Sequence, residues 1–415
     1  MILYVLMSAM AIATALTASS LHPVILVPGY QASRLLYTVD RSVPGSPSIC
    51  PPKSINSTLW QSFLNTIDPI DSACWYQCAR LYYDASSRKT HSAPGVNVTT
   101  TPFGELDGVE WITPPGPQRA AGGEYYKQLV DALVSAGYER DRNVRGAQYD
   151  WRRAPNDNHD WIPNTKKLIE ETYAMNNKKP VILIVHSLGS LYSYVFLNTM
   201  KPAWKAKYIR SWILLGSGLG GVYESVFIYH VADYYYPQRL KVVERVSLRT
   251  FSATAFLLPR AAAYGNQTLV KATDLEVRAE DYEQFLTRLG NPAAFQMWKN
   301  TRKLYDANRI KSPGNFSIYC IAGFGKPSLT GSVLSGPLRD GTPVTPVYGD
   351  GDGSIGAQSI RMCYRLGKGK KNFGVKEFSN LDHSQVIQDT EPVNYVVGIV
   401  TSINEKKEKF RKEFL

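Results

Sequence analysis

The chain has 415 residues, 44% of them hydrophobic, and a formal net charge of +12 at pH 7. This composition excludes a disordered chain, and the 25 Pro and 31 Gly follow no period, which excludes collagen-like and solenoid proteins. The basic excess favours an anionic partner, which could be a lipid surface, a nucleic acid or an acidic substrate. Nucleic-acid binding has no support, because the basic residues are dispersed and no recognition motif occurs.

Residues 1–20 predict a secretory signal peptide. They carry no charged side chain, and small residues such as Ala18 offer cleavage sites. A short membrane anchor or a buried first helix is the alternative. No later segment reaches the roughly 18 apolar residues of a membrane span, so we expect a soluble mature chain.

Sequons and cysteines agree with a secretory route. Glycosylation sequons occur at Asn56, Asn97, Asn266 and Asn315. The cysteines are Cys50, Cys74, Cys78, Cys320 and Cys363. An odd number permits two disulfides and one thiol, and no spacing matches a zinc site, so we expect no metal and an oxidising compartment.

Short apolar runs alternate with helical patterns along most of the chain. Strands are predicted near residues 23–29, 181–185, 209–215, 316–322, 344–348 and 374–378, and helices near 122–137, 161–175, 188–200 and 392–405. This alternation is typical of βαβ units with a mostly parallel sheet. Two stretches break this alternation: residues 46–100, which are predicted to be irregular, and residues 216–310. The sequence therefore predicts an α/β core of residues 21–45, 101–215 and 311–415 with two insertions.

A candidate nucleophile follows the most apolar of these strands. Residues 181–185 run directly into His186-Ser187-Leu188-Gly189 and then into a helical pattern. A strand, a sharp turn and a helix are the context of the nucleophile elbow, which exposes a serine above the edge of the sheet. Val185 stands where this motif usually has Gly. The alternative interpretation is a buried strand followed by an ordinary helix-capping serine.

A serine nucleophile needs a base and an orienting acid, which in α/β-hydrolases follow it in the order acid, then histidine. His383 fits this order and follows a predicted strand. The other histidines are His22, His91, His159 and His186, which precede the serine, and His230, which lies in the second insertion. Asp350 and Asp352, within the run Gly349–Gly353, are the acid candidates. A simple turn or half of a calcium loop are the alternatives for this run.

Acyl transfer also requires an oxyanion hole. One donor is expected from the backbone N–H of Leu188, directly after the nucleophile. The second is expected from the loop at residues 28–31, at Tyr30. Each such donor contributes about 3 kcal/mol of transition-state stabilisation.

These residues resemble the lecithin:cholesterol acyltransferase and lysosomal phospholipase A2 family, and the lysosomal branch more closely. The matching segments are Pro23–Gly29, Cys50 with Cys74-Trp75, Val144–Asn156, His186–Gly189, Ala203–Arg210, Gly349–Gly353 and Asp382-His383. They occur in family order from about residue 22 to 400. The block at residues 149–156 is highly specific, whereas the serine motif alone is not.

The resemblance implies an α/β-hydrolase core and a catalytic triad of Ser187, Asp352 and His383. It also implies disulfides Cys50–Cys74 and Cys320–Cys363 with a free Cys78, a lid or membrane-binding region at residues 46–100 and a cap at residues 216–310. The implied activity is that of a serine phospholipase and acyltransferase. It transfers a fatty acyl chain from a glycerophospholipid, through an acyl-serine, to water or to a lipid alcohol such as a sterol or ceramide.

We further expect a monomer without a cofactor that binds the surface of phospholipid membranes, with a preference for anionic lipid. It would be secreted or lysosomal. Candidate membrane residues are Trp60, Phe63, Leu64 and Trp75, with Tyr76 beside them. Some of these residues could instead pack beneath the lid, Trp75 above all.

Three segments depart from the family pattern: Val185, residues 30–32, and Gly216-Ser217-Gly218 in place of Ala-Pro-Trp. The last two could alter selectivity for the acyl chain or its acceptor. Two alternatives therefore stay open. One is a lipase or esterase for neutral lipids on the same fold, and the other is a catalytically inactive lipid-binding protein.

Overall fold

The computed structural model describes residues 21–51, 53–59, 69–117, 119, 122–230 and 247–404. The predicted signal peptide and Trp60, Phe63 and Leu64 lie outside these described residues. The strands are β1 (Val24–Val27), β2 (Leu35–Asp40), β3 (Lys53–Thr58), β4 (Leu81–Asp84), β5 (Lys89–Ser92), β6 (Val96–Thr100), β7 (Val144–Gly146), β8 (Val181–His186), β9 (Ile209–Leu215), β10 (Thr268–Lys271), β11 (Glu276–Arg278), β12 (Ser317–Phe324), β13 (Ser328–Leu334), β14 (Val344–Gly349) and β15 (Phe373–Ser379).

Helices flank these strands in chain order. They are α1 (Pro69–Ala79), α2 (Asp107–Glu110), α3 (Lys127–Ser135), α4 (Trp161–Met175), α5 (Leu188–Thr199), α6 (Pro202–Tyr208), α7 (Glu224–His230), α8 (Ser252–Phe256), α9 (Ala261–Tyr264), α10 (Tyr282–Arg288), α11 (Pro292–Thr301), α12 (Ala357–Ile360), α13 (Gln385–Gln388) and α14 (Thr390–Asn404). Short 3-10 helices cover Arg302–Leu304, Ala307–Arg309 and Arg361–Gly367.

The central sheet has six strands in the order β15-β12-β9-β8-β1-β7, and every pairing in it is parallel. All positions of β8 are buried. Leu183 and Val185 belong to the apolar core that includes residues of α4 and α5, whereas Ile182 and Ile184 belong to the core with residues of α3 and α14. Because helices cover both faces, β8 reads as an unbroken apolar run. The predicted α/β class with a mostly parallel sheet is confirmed.

The helix predictions agree best with the structure at α4, whereas the helix predicted near residues 122–137 covers Lys127–Ser135. Helix α4 has the predicted bounds, and α3 places Leu129, Val130 and Leu133 in the core. Gly137 follows α3 with a φ of +94°, a conformation that favours glycine at the end of a helix.

The first insertion is more regular than the sequence predicts. Besides α1, it contributes β3 and β6, which flank β2 in an antiparallel three-stranded sheet, and the hairpin of β4 and β5. The prediction of an irregular segment at residues 46–100 is therefore wrong for much of its length. Polar, half-exposed strands such as β6 carry no apolar run that would reveal them.

Strand pairing joins the second insertion to the C-terminal part of the chain. A four-stranded sheet has the order β11-β10-β13-β14, with Val270 paired to Ser332. Two of its strands come from residues 216–310 and two from the range assigned to the core. The predicted strand at residues 344–348 forms, but it lies in this smaller sheet beside β13.

The structure contains both disulfides implied by the resemblance, Cys50–Cys74 and Cys320–Cys363, and Cys78 is a buried free thiol. Asn97, Asn266 and Asn315 are exposed, as glycosylation would require. Within the described ranges, no helix is both long enough and apolar enough to cross a bilayer.

Candidate active site

Ser187 lies at a sharp turn between β8 and α5. Its backbone has φ +54° and ψ −124°, a strained conformation for a residue with a side chain. The turn is tight enough that a Cβ on Gly189 would lie 2.5 Å from the carbonyl oxygens of Val27 and Pro28. Val185, two residues before Ser187 on β8, is fully buried in the core. The elbow geometry therefore forms with valine at the position that usually holds glycine.

His383 and Asp352 are in direct contact next to this turn. The Nδ1 of His383 lies 2.7 Å from Oδ2 of Asp352, and the backbone N–H of His383 donates to the Asp352 carbonyl at 2.7 Å. Asp352 is fully buried, and its Oδ1 accepts the N–H groups of Ser354 and Ile355. Asp350 instead accepts the N–H of Gly325. The local sequence does not distinguish the two aspartates, but in the structure it is Asp352 that contacts His383.

The surroundings of His383 favour its charged form. Burial by itself lowers the pKa of His383, but the adjacent Asp352 carboxylate, with contributions from Asp382 and Glu224, raises the pKa above its ordinary value. A carboxylate only accepts hydrogen bonds, so Nδ1 carries the proton in the neutral ring and Nε2 is the basic nitrogen. This is the tautomer that a general base beside a serine requires.

Ser187 and His383 both line one cavity of about 510 Å³, a size common for ligand sites. The lining residues are Tyr30, Gln31, Tyr125, His186, Ser187, Val222, Glu224, Ser225, Ile228, Leu248, Thr254, Leu257, Gly353, Ser354, Ile355, His383 and Ser384. The core supplies both histidines and both tyrosines of this lining, whereas the second insertion supplies Glu224 and most of the aliphatic wall, namely Val222, Ile228, Leu248 and Leu257. The cavity therefore combines an acyl-transfer constellation with an apolar surface.

The predicted oxyanion donors belong to two chain segments next to Ser187. Leu188 is the first residue of α5, where backbone N–H groups have no acceptor within the helix. Tyr30 lines the cavity from the loop after β1. Tyr149, from the family-specific block, holds this loop, because its hydroxyl donates to the carbonyls of Pro28 at 2.7 Å and Gly29 at 3.3 Å.

Trp75 does not reach the surface. It is 4% exposed, its indole N–H donates to the carbonyl of Leu59, and its ring packs edge-on against Tyr76, which is 5% exposed. The prediction that Trp75 contacts a membrane is therefore corrected to a packing role within the first insertion. Trp60, Phe63 and Leu64 lie outside the described residues and stay predictions.

Three pocket residues escaped the sequence interpretation: Tyr125, His186 and Glu224. His186 was set aside because it precedes the nucleophile, and Tyr125 is 61 residues away from it in the chain. Glu224 begins α7 in the second insertion and acts on His383 through its charge. The sequence offers one sign of a role for these three residues, which is that His186 directly precedes Ser187.

The parallel sheet, the serine elbow and the acid–histidine pair in this chain order define an α/β-hydrolase. The lecithin:cholesterol acyltransferase family model matches residues 55–312, more than half of the chain. The chain belongs to the lecithin:cholesterol acyltransferase family.

Named relatives cover nearly the whole chain. A lysosomal phospholipase A and acyltransferase from Bos taurus is 31% identical and covers 93% of both chains, and the Homo sapiens protein of that name is 29% identical over 96% of this chain and 95% of its own. A phosphatidylcholine-sterol acyltransferase from Gallus gallus is 29% identical, with 89% and 88% covered. Among solved structures, the Tle4-Tli4 complex shares the fold, with a TM-score of 0.53 at 12% identity over 92% of this chain and 98% of that one.

Proposed function

We propose that this protein is a serine-dependent phospholipase A and O-acyltransferase that takes its acyl chain from a glycerophospholipid. The observation that carries the proposal is the His383–Asp352 pair beside Ser187 in one cavity with an apolar wall. Membership in the family and the activities named for its relatives agree with this chemistry.

In the proposed first half-reaction, the Ser187 hydroxyl attacks the carbonyl carbon of the ester while Nε2 of His383 takes its proton. Asp352 stabilises the imidazolium that forms, and the N–H groups of Leu188 and Tyr30 bind the oxyanion. The C–O bond to glycerol then breaks, the departing oxygen takes the proton from His383, and an acyl-Ser187 ester remains.

In the second half-reaction, an acceptor hydroxyl gives its proton to His383 and attacks the carbonyl carbon of the acyl-serine. The bond between this carbon and Oγ of Ser187 then breaks, and His383 returns the proton to the serine oxygen. Water yields a free fatty acid, and a lipid alcohol yields a new ester. We expect the aliphatic wall at Val222, Leu248 and Leu257 to hold the acyl chain, because its burial removes apolar surface from water. A sterol and ceramide stand as the proposed lipid acceptors.

The decisive experiment combines labelling and turnover. Wild-type protein should react with a fluorophosphonate at Ser187 and release fatty acid from phosphatidylcholine liposomes, and Ser187→Ala should lose both. Ser190→Ala is the matched control, because Ser190 lies one turn further along α5 and donates to the Ser187 carbonyl at 2.6 Å. Labelling that persists in Ser187→Ala would place the nucleophile elsewhere, and folded wild type without labelling would indicate a lipid-binding protein.

Substrate class is decided by comparing phospholipid liposomes with triacylglycerol emulsions under the same conditions. The proposal expects turnover of liposomes, with acyl transfer when a sterol or ceramide is included. Exclusive turnover of the emulsion would favour the lipase alternative.

We propose the secretory pathway as the location of the protein. Imaging of the full chain in cells would distinguish secretion from delivery to the lysosome.

A further inference from the structure

Tyr125 and His186 form a hydrogen-bonded bridge between the loop of the predicted oxyanion donor and the backbone of His383. The N–H of Gly29 donates to the Tyr125 hydroxyl at 2.9 Å, and that hydroxyl contacts Nδ1 of His186. At the other side of the ring, Nε2 of His186 lies 2.9 Å from the carbonyl oxygen of His383. The bridge thus connects Gly29 with the main chain of His383 through two side chains.

The partners fix the direction of every hydrogen bond in the bridge. The His383 carbonyl only accepts, so Nε2 of His186 carries a proton. Burial lowers the pKa of His186 well below its ordinary value, and the positive charge of His383 lowers it further, so the ring is neutral and its Nδ1 is bare. Nδ1 therefore accepts the Tyr125 proton, and the Tyr125 oxygen accepts from Gly29.

Close packing leaves this group little freedom. A Cβ on Gly29 would lie 2.7 Å from the Tyr125 hydroxyl and 2.9 Å from Cβ of Ser187. Gly29 of the loop therefore packs against both the phenol and the nucleophile. A shift of a few tenths of an ångström at Tyr125 would be transmitted to both the loop and the serine.

We propose that Tyr125 and His186 are positioning residues that hold the oxyanion loop and the His383 backbone in register with Ser187. The inference rests on the proposed function, since it assigns these residues to the same acyl-transfer site. Neither residue exchanges a proton with substrate. Tyr125 sets the plane of the Pro28–Gly29 peptide, which directly precedes the peptide that carries the Tyr30 N–H, and His186 fixes the main chain of the base.

The main test compares Tyr125→Phe with Tyr126→Phe. Tyr126 is the matched control, because it is the adjacent buried tyrosine and its ring packs against Tyr125. Its hydroxyl bonds to main-chain groups, donating to the carbonyl of Val27 at 2.9 Å and accepting from the backbone of His186, so its loss leaves the side-chain hydrogen bonds of the bridge in place. On a soluble short-chain ester, Tyr125→Phe should lower kcat by about 10-fold or more with KM changed less than about 2-fold, because binding is preserved while transition-state geometry is lost. The rate of fluorophosphonate labelling should fall in parallel, and Tyr126→Phe should keep both rates.

Hydrogen exchange provides a readout that does not depend on turnover. The Gly29 amide should be protected in wild type and in Tyr126→Phe and lose protection in Tyr125→Phe. A double variant Tyr125→Phe/His186→Phe should be no slower than the worse single variant, because residues that act as a unit are non-additive. Failure of the proposed function is seen separately, as the absence of Ser187 labelling in wild type.

Two results would overturn the positioning role. One is loss of Gly29 protection in Tyr125→Phe with kcat and the labelling rate unchanged. The other is an equal loss of kcat in Tyr126→Phe, which would mean that any disturbance of this packing slows the reaction.

Discussion

Arg152 and Asp150 form a buried ion pair that also anchors the end of helix α1. The Nε and Nη2 groups of Arg152 donate to the two carboxylate oxygens of Asp150 at 2.8 and 2.7 Å. The Nη1 group donates to the carbonyl oxygens of Ala79 at 3.0 Å and Cys78 at 3.3 Å. The last carbonyls of a helix have no partner within it, so one guanidinium satisfies the helix end and ties the first insertion to the core.

Replacing Arg152 by Met should destabilise the fold strongly. Arg152 is fully buried, and its removal leaves two helix-end carbonyls without their donor and the Asp150 carboxylate with Arg153 as its remaining cationic partner, which costs about 3 kcal/mol. Arg142→Met is the control, because the Arg142–Glu139 pair is exposed and contributes at most about 1 kcal/mol. Urea unfolding measures both. An equal effect of the two substitutions would refute a special role for the buried pair.

Gly189→Ala should abolish the elbow. The added methyl group would meet two backbone oxygens at 2.5 Å, and main chain cannot yield as a flexible side chain would. We expect a loss of about 1 to 3 kcal/mol in unfolding free energy and loss of fluorophosphonate labelling. Gly398→Ala in α14 has open space around it and should raise stability by about 0.5 to 1 kcal/mol with labelling intact. Labelling of Gly189→Ala at the wild-type rate would contradict the tight turn.

Activity should fall on the acid side as His383 becomes protonated. The base must be neutral, and Asp352 raises the pKa of His383 above the ordinary 6.5, so kcat/KM should decrease as the pH drops through this raised value. Asp352→Asn should lower kcat by roughly 10³- to 10⁴-fold and move the acid limb of the residual activity to lower pH. The measurement is a pH profile of kcat/KM on a soluble ester.

Asp350→Asn is the control for this profile. Asp350 accepts the N–H of Gly325 and makes no contact with His383, and an asparagine oxygen can keep that hydrogen bond. Its profile should overlay that of wild type. A shift of the acid limb in Asp350→Asn instead of Asp352→Asn would exchange the roles of the two aspartates.

Cys78 should react only after unfolding. Burial raises the pKa of its thiol to about 12, so the reactive thiolate is scarce at neutral pH, and the thiol lies 3.6 Å from Sγ of Cys50 in the core. Non-reducing peptide mapping should recover Cys50–Cys74 and Cys320–Cys363, with Cys78 alkylated in denaturant alone. Recovery of Cys78 in a disulfide of the native protein would overturn the pairing.

The sequence predicted best those elements that are buried on both faces. The apolar run of β8 predicts a buried strand, and the change from apolar to polar residues at His186 and Ser187 predicts the elbow. With Ser187 as the nucleophile, the order serine, acid, histidine then selects His383. Asp352 could be selected only through the family resemblance, because Gly349–Gly353 carries two aspartates in the same local context. The geometry separates them through a contact 31 residues away in the chain.

Contacts across long distances in the chain account for what the sequence missed. The sequence places Tyr125 near the start of a predicted helix and indicates no other role. Its partners Gly29 and His186 are 96 and 61 residues away in the chain, so no local pattern connects them. The strands of the first insertion escaped notice for a different reason. Segments such as Lys53–Thr58 are polar and pair at the edge of a small sheet, so no apolar period distinguishes them from loops.

The net charge of +12 should bring the protein to anionic membranes before catalysis begins. Charge attraction weakens as the Debye length shrinks from about 10 Å at 0.1 M salt to about 3 Å at 1 M. We therefore expect faster turnover of anionic than of zwitterionic liposomes, and a decline with added salt. Turnover of a dispersed short-chain ester should stay constant over the same range.

Apolar contact at the interface should depend on the first insertion, where Trp60, Phe63 and Leu64 are the remaining candidates. Trp60→Ser should lower turnover of liposomes while leaving the soluble ester unaffected, because an aromatic side chain contributes to interfacial binding and not to the chemical step. Trp75→Phe is the buried control, which removes one hydrogen bond to Leu59 and should act on stability rather than on membrane binding. Liposome co-sedimentation separates binding from turnover. Equal salt sensitivity of turnover on both substrates would mean that the charge acts at the catalytic site or on folding. An equal loss of turnover on both substrates in Trp60→Ser would mean the same for this tryptophan.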